Sequence, residues 1–300
     1  MKGIFAILLS WAALAALPAN AALNVLACEP EWESLTRELA GDRARVTSAT
    51  SAVQDPHRVE ARPALLARAR RADLLVCTGA ELEIGWLPLL QRESGNTAIQ
   101  TGRPGYFEAA QFVRLLEKPA VIDRAMGDVH PSGNPHIHLD PRNLLSIADA
   151  LARRLTDIDP AGGAYYEARR ADFAARMQTA IARWEEEAAP LKGLPVVVHH
   201  KNWSYLADWL DLEIVADLEP KPGVDPSVAY LGRLLGKLES APAKMVLRAA
   251  YQSPKASEWI ARRSGIKAMM LPYTVGGSDR AQDLFSLFDD TLARLKEATR

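Results

Sequence analysis

Residues 161–189 read AGGAYYEARRADFAARMQTAIARWEEEAA, the longest helical pattern in the chain. Tyr166, Phe173, Met177, Ile181 and Trp184 recur at steps of seven, four, four and three, which lays them along one apolar stripe. Nearly thirty residues at ~1.5 Å rise each reach roughly 40 Å, the span of a whole domain. Nothing in the flanks reads as a coiled coil, and Glu185, Glu186 and Glu187 read as a solvated face. The segment is therefore a rigid beam joining two bodies.

Working outward, both flanks alternate between strand-like and helix-like stretches. LNVLAC (23–28), RVTSATS (45–51) and DLLVCTG (73–79) are strand-like, and helical patterns cover 32–40, 62–72 and 82–90. From 96 to 135 the alternation fails in a Gly- and Pro-rich region, with a weak strand at 120–122 and an expected mobile loop at 127–133. Asp140-Pro141 then opens a helix through Leu155, proline suiting the first turn. After Pro190, strands are expected at 194–199, 213–216, 244–247 and 268–271, and helices at 203–210, 226–240, 253–264 and 281–299. Such alternation specifies parallel βαβ units. The expected fold is α/β: two Rossmann-like (β/α) lobes, 22–155 and 190–300, joined by one long rigid α-helix within 156–189. No sequence-level repeat relates the lobes.

The 300 residues are 48% hydrophobic and 24% charged, which excludes a disordered chain, a collagen and a multi-span membrane protein. Lys+Arg 36 against Asp+Glu 37 leaves a formal net charge of −1 and no block of either sign, which argues against a nucleic-acid partner. Residues 1–21, MKGIFAILLSWAALAALPANA, have the form of a signal peptide: Lys2, an apolar run from Ile4 to Leu17, Pro18, then the small-x-small site Ala19-Asn20-Ala21. Cleavage would start the mature chain near Ala22, soluble and exported. Val25-Leu26-Ala27-Cys28 resembles a lipoprotein site only by coincidence, lying too far past the apolar run and inside a strand, so no lipid anchor is expected. Cys28 and Cys77 each end an apolar run; a disulfide and two buried thiols both fit, and no CxxC suggests redox or zinc-ribbon chemistry.

The six histidines fall in three places: His57 in QDPHRVE, His130, His136 and His138 in VHPSGNPHIHLDP, and His199 and His200 in VVVHHKNW. Each lies at a strand end or loop. Open α/β sheets bind ligands beyond the carboxyl ends of their strands, so loops distant in sequence converge there. Neutral imidazole is the commonest metal ligand near neutral pH, and three with a carboxylate suit tetrahedral zinc.

DPH followed by Glu60 and Pro63, ADLLVCTGAELE, NPHIHLDP and VVVHHKNWSYLADW match, in order and spacing, the periplasmic metal-binding proteins of ABC transporters. Over essentially the whole mature chain the sequence resembles the zinc-specific branch of that family, which also holds manganese binders. The resemblance implies one metal in the cleft between the lobes, passed to a membrane permease and received directly or from a periplasmic metallochaperone. It implies a periplasmic monomer with no enzymatic activity. Carried over residue by residue, His57, His136 and His200 are ligands, and Asp279 in YTVGGSDRAQD is the fourth. His138 stands where the family usually has an aromatic, and is an alternative or additional ligand. The family's long His-rich loop is reduced here to His130. Imidazole nitrogen favours zinc over manganese. The rival reading is a zinc-dependent hydrolase, because His136, His138 and Asp140 have the H-x-H-x-D form that activates water on bound metal. Pro141, where such motifs usually add a histidine, and the parallel α/β pattern speak against it.

Overall fold

A computed structural model describes residues 22–120 and 130–299. The expected signal segment, residues 121–122 of the weak strand and residues 127–129 of the expected loop lie outside the described residues.

The first sheet contains β1 (Leu23–Ala27), β2 (Ala44–Ser48), β3 (Leu74–Cys77) and β4 (Tyr106–Glu108) in the order β2-β1-β3-β4, all parallel. Helices α1 (Pro30–Ala40), α2 (Pro63–Arg70) and α3 (Leu87–Ser94) supply the crossovers. Every residue of β3 is buried, because helices cover both faces of the sheet. The expected helix at 82–90 begins later than its apolar pattern. Pro88 lacks an N–H and fits only the first turn, so α3 starts at Leu87 and turns fill 80–86. β4 arises inside the region where alternation fails; three residues are too few to show a period.

After α4 (Pro141–Ile158), whose N-cap is the Asp140 carboxylate accepting from Arg142 N–H, comes the beam, α5 (Gly163–Ala188). At 26 residues it is roughly 39 Å long. The second sheet holds β5 (Pro195–Val198), β6 (Glu213–Asp217), β7 (Met245–Ala249) and β8 (Lys267–Leu271) in the order β6-β5-β7-β8, again parallel. Helices α6 (Ser204–Leu210), α7 (Val228–Ser240) and α8 (Pro254–Ser264) connect them, and α9 (Leu284–Ala298) closes the chain. The two sheets therefore share one strand order without a visible sequence repeat.

The α5 stripe is buried as its spacing requires, and α5 packs on α1 and α4 of the first lobe and α9 of the second. One hydrophobic core runs from Trp32, Leu35 and Leu39 through Phe173, Met177 and Trp184 to Phe288 and Leu292. Trp184 Nε1 donates to Asp289 at 2.7 Å, and Arg176 pairs with Glu38 at 2.7 Å. Wide hinge opening would expose that shared core, so the arrangement resists it.

Cys28 and Cys77 form a disulfide. β1 and β3 are neighbours with Ala27 opposite Val76, so the next residues face each other at the carboxyl end, 4.8 Å apart at Cα. Both sulfurs lie in the core.

Candidate metal centre

In each sheet the crossover direction reverses between the first and third strands, and crevices form there beyond the carboxyl ends. His57 lies in the loop following β2. Asp55 accepts from both the His57 backbone N–H, at 3.0 Å, and Nδ1, at 2.8 Å. Trp86 Nε1 donates to Pro56 carbonyl at 2.8 Å. Gly85 passes beneath: a Cβ there would meet the His57 carbonyl at 2.9 Å, so only glycine lets the two backbones approach. Asp55 thus holds the ring, while Trp86 and Gly85 fix the backbone that carries it.

His136 precedes α4. The Asn134 side chain accepts from His136 N–H at 3.0 Å, while its amide donates to Lys201 carbonyl at 2.7 Å. Tyr205 hydroxyl donates to Asn134 carbonyl at 2.8 Å. The loop carrying a first-lobe imidazole is therefore tied to the second-lobe segment carrying His200. His136 Nδ1 meets Tyr273 hydroxyl at 2.7 Å, Tyr273 lying just past β8. His200 follows β5, and its Nδ1 is 2.8 Å from Glu219, which also accepts from Gly223 N–H.

His57, His136 and His200 offer ligand atoms that all lie within 4.8 Å of one another. Their ring centroids form a nearly equilateral triangle of 5.5, 5.6 and 5.4 Å. In each ring Nδ1 is engaged by a different partner, which leaves Nε2 for a ligand. The Nε2 atoms of His57 and His136 are buried without any hydrogen-bond partner. An orphaned buried nitrogen costs about 1–3 kcal/mol, and two in one cluster of ligand atoms are donors that a bound cation would satisfy.

Burial, followed by the positive potential of His200 and His57, pushes the His136 pKa well below its ordinary value. His130 is pushed down to about 3 by burial and then by His57 and His200. Burial raises the Asp55 carboxyl, but the bonds from His57 outweigh it and hold it below the usual range. A His136 ring kept neutral and an Asp55 carboxyl kept ionised suit a divalent cation.

Asp279 is a correction. The turn carrying it closes on itself, Gly276 N–H donating to Ala281 carbonyl and Gln282 to Asp279 carbonyl. Ser278 hydroxyl bonds Asp290 of α9, and Asp279 stands exposed in solvent outside the imidazole group. His138 also lies outside it: its Nε2 meets Tyr273 carbonyl at 2.9 Å and its Nδ1 sits 3.1 Å from Glu31. Asp140 caps α4 and grips Arg142, so the H-x-H-x-D residues point to three different tasks and make no hydrolytic centre. His130 packs on the His57 ring at 5.4 Å with both ring nitrogens buried and unpartnered. His199 sits 3.9 Å from Glu219. Reading by motif missed Glu219 and Tyr273; a lone acid or aromatic after a strand carries no local signal, whereas Asp55 stood inside the DPH motif.

Two parallel-sheet lobes bridged by a long helix, with imidazoles of both lobes converging between them, make the fold that of a two-lobed solute-binding protein. The chain belongs to the family described as zinc-uptake complex component A periplasmic, matching its model over residues 25–298. That family is one of substrate-binding transport proteins, not enzymes. The zinc-binding lipoprotein AdcA of Streptococcus pneumoniae is 22% identical over 94% of this chain, and the chain spans only 56% of AdcA. The high-affinity zinc uptake system protein ZnuA of Paracoccus denitrificans is 24% identical, with 80% of each covered. A manganese ABC transporter substrate-binding lipoprotein, scaA of Streptococcus gordonii, is 28% identical over 48% of this chain. A crystal structure of ZnuA superimposes with TM-score 0.75 and 24% identity, over 93% of this chain and 98% of that one.

Proposed function

We propose that the chain captures one zinc ion on His57, His136 and His200 and passes it to the membrane permease of an ABC importer. The triangle of imidazoles, each with Nδ1 held by a neighbour and with the Nε2 atoms of His57 and His136 buried without a partner, is the observation that carries this reading. Hard manganese prefers carboxylate and water oxygen, whereas three imidazole nitrogens suit zinc. The relatives include binders of both metals, and the nitrogen-rich donor set supports zinc. All three ligands come from a single chain, which suits a monomer. The same reading assigns 1–21 to export into the periplasm, 22–155 and 190–300 to the two lobes and 156–189 to the linking helix.

Competition titration of the purified protein with zinc, manganese and copper tests it. The expected result is one site per chain, zinc preferred over manganese, and loss of that site in His200→Ala. Wild-type zinc affinity in His200→Ala, or two equivalents bound with hydrolytic activity, would contradict it.

A further inference from the structure

Three fully buried groups sit beside the imidazole triangle without belonging to it. His138 is 0% exposed, Glu31 0% and Tyr273 2%. Glu31 and His138 belong to the first lobe, Tyr273 and Thr274 to the second. The contacts form a closed chain across the lobe boundary. His138 Nε2–H donates to the Tyr273 carbonyl at 2.9 Å, and its ring packs edge-on to the Tyr273 ring at 4.9 Å. His138 Nδ1 faces a Glu31 carboxyl oxygen at 3.1 Å without an aligned hydrogen bond. The other Glu31 oxygen accepts from Thr274 hydroxyl. Tyr273 in turn returns to the first lobe, its hydroxyl 2.7 Å from His136 Nδ1.

We propose that His138 and Glu31 are positioning residues that clamp the Tyr273-Thr274 segment, so that the Tyr273 hydroxyl holds His136 as the Nδ1–H tautomer with Nε2 free for the cation. This rests on the metal-binding reading above. Neutral imidazole carries its proton on one nitrogen, and the partner of the other nitrogen selects which. In the proposed arrangement His136 Nδ1–H donates to the Tyr273 hydroxyl oxygen across their 2.7 Å contact, and the lone pair stays on Nε2. His138 and Glu31 bind the Tyr273 carbonyl and the Thr274 hydroxyl, which anchors the segment from which the Tyr273 side chain reaches His136. The consequence is coupling: His136 is a ligand of one lobe whose tautomer is set by the other, so affinity depends on lobe register. A permease that shifted the lobes apart would weaken the site by withdrawing Tyr273 from His136.

The test uses Tyr273→Phe, His138→Leu and His138→Gln in the full mature chain, with His136→Ala as reference. Zinc affinity is measured by chelator competition, and the His136 tautomer in metal-free protein by long-range proton–nitrogen NMR. The expected result is a 10–100-fold weaker zinc complex in Tyr273→Phe and His138→Leu. His136 nitrogen shifts should move toward mixed tautomers, and His138→Gln, which can still donate to the carbonyl, should recover most of the affinity. Wild-type affinity with an unchanged tautomer in Tyr273→Phe overturns the proposal, as does a fall in melting temperature in His138→Leu without either change. Should His138→Leu not fold, Tyr273→Phe, which removes one oxygen, decides alone. Retained zinc binding in His136→Ala would instead sink the underlying metal reading.

Discussion

Glu219 shows what a single side chain contributes here. It accepts from His200 Nδ1 at 2.8 Å and from Gly223 N–H at 2.7 Å, so one carboxylate fixes both the ring and the loop behind it. Glu219→Gln keeps the shape and removes the charge; zinc affinity should fall 10–100-fold by competition titration, with near-native circular dichroism. Protonation belongs to the same scale. His136 and His130 have folded-state pKa values below that of an unfolded histidine, about 6.5. Below that pH the unfolded chain binds more protons than the fold, so stability should drop as pH falls from about 6.5 and continue dropping toward the low values of these groups. Above it neither contributes. Urea unfolding of metal-free protein between pH 7.5 and 4.5 should show this decline, and His130→Gln should flatten it.

At the scale of elements, the disulfide and the beam are the two devices to test. The bridge closes a loop of 49 residues at the carboxyl edge of the first sheet. Replacing both cysteines by alanine should cost roughly 2–5 kcal/mol in chemical denaturation, chiefly by freeing the unfolded chain. Trp184 is fully buried where α5 meets α9, its ring tilted against that of Phe288 with centroids 5.0 Å apart. Trp184→Ala should cost about 3–5 kcal/mol and lower the melting temperature in differential scanning calorimetry. The long stripe of α5 was legible because five large residues repeat at helical spacing. The parallel strands were legible because buried runs such as LLVC alternate with amphipathic helices. β4 was not, being three residues long, and the α3 boundary was not, because proline placement overrode apolar spacing. The three imidazoles were legible from motif order. Asp279 was misread since its glycine turn folds onto α9, a tertiary choice with no local mark. Tyr273 reaches its partner across 137 residues of chain, which no periodicity announces.

Across the whole molecule, one core passes through both lobes while the three clustered imidazoles divide between them. A body so built should load metal by local ordering around the cleft, with little change in overall shape. Solution scattering should give nearly equal radii of gyration with and without zinc. The melting temperature should rise with zinc, since an ion held only by the folded state contributes about 2.7 kcal/mol at a free concentration 100 times Kd. The most direct measurement of the central claim is X-ray absorption at the zinc edge of protein carrying one equivalent. The account predicts a low-coordinate shell at about 2.0 Å with the outer scattering of three imidazoles, reduced to two in His57→Ala. A shell of oxygen alone, or one unchanged in His57→Ala, would contradict it.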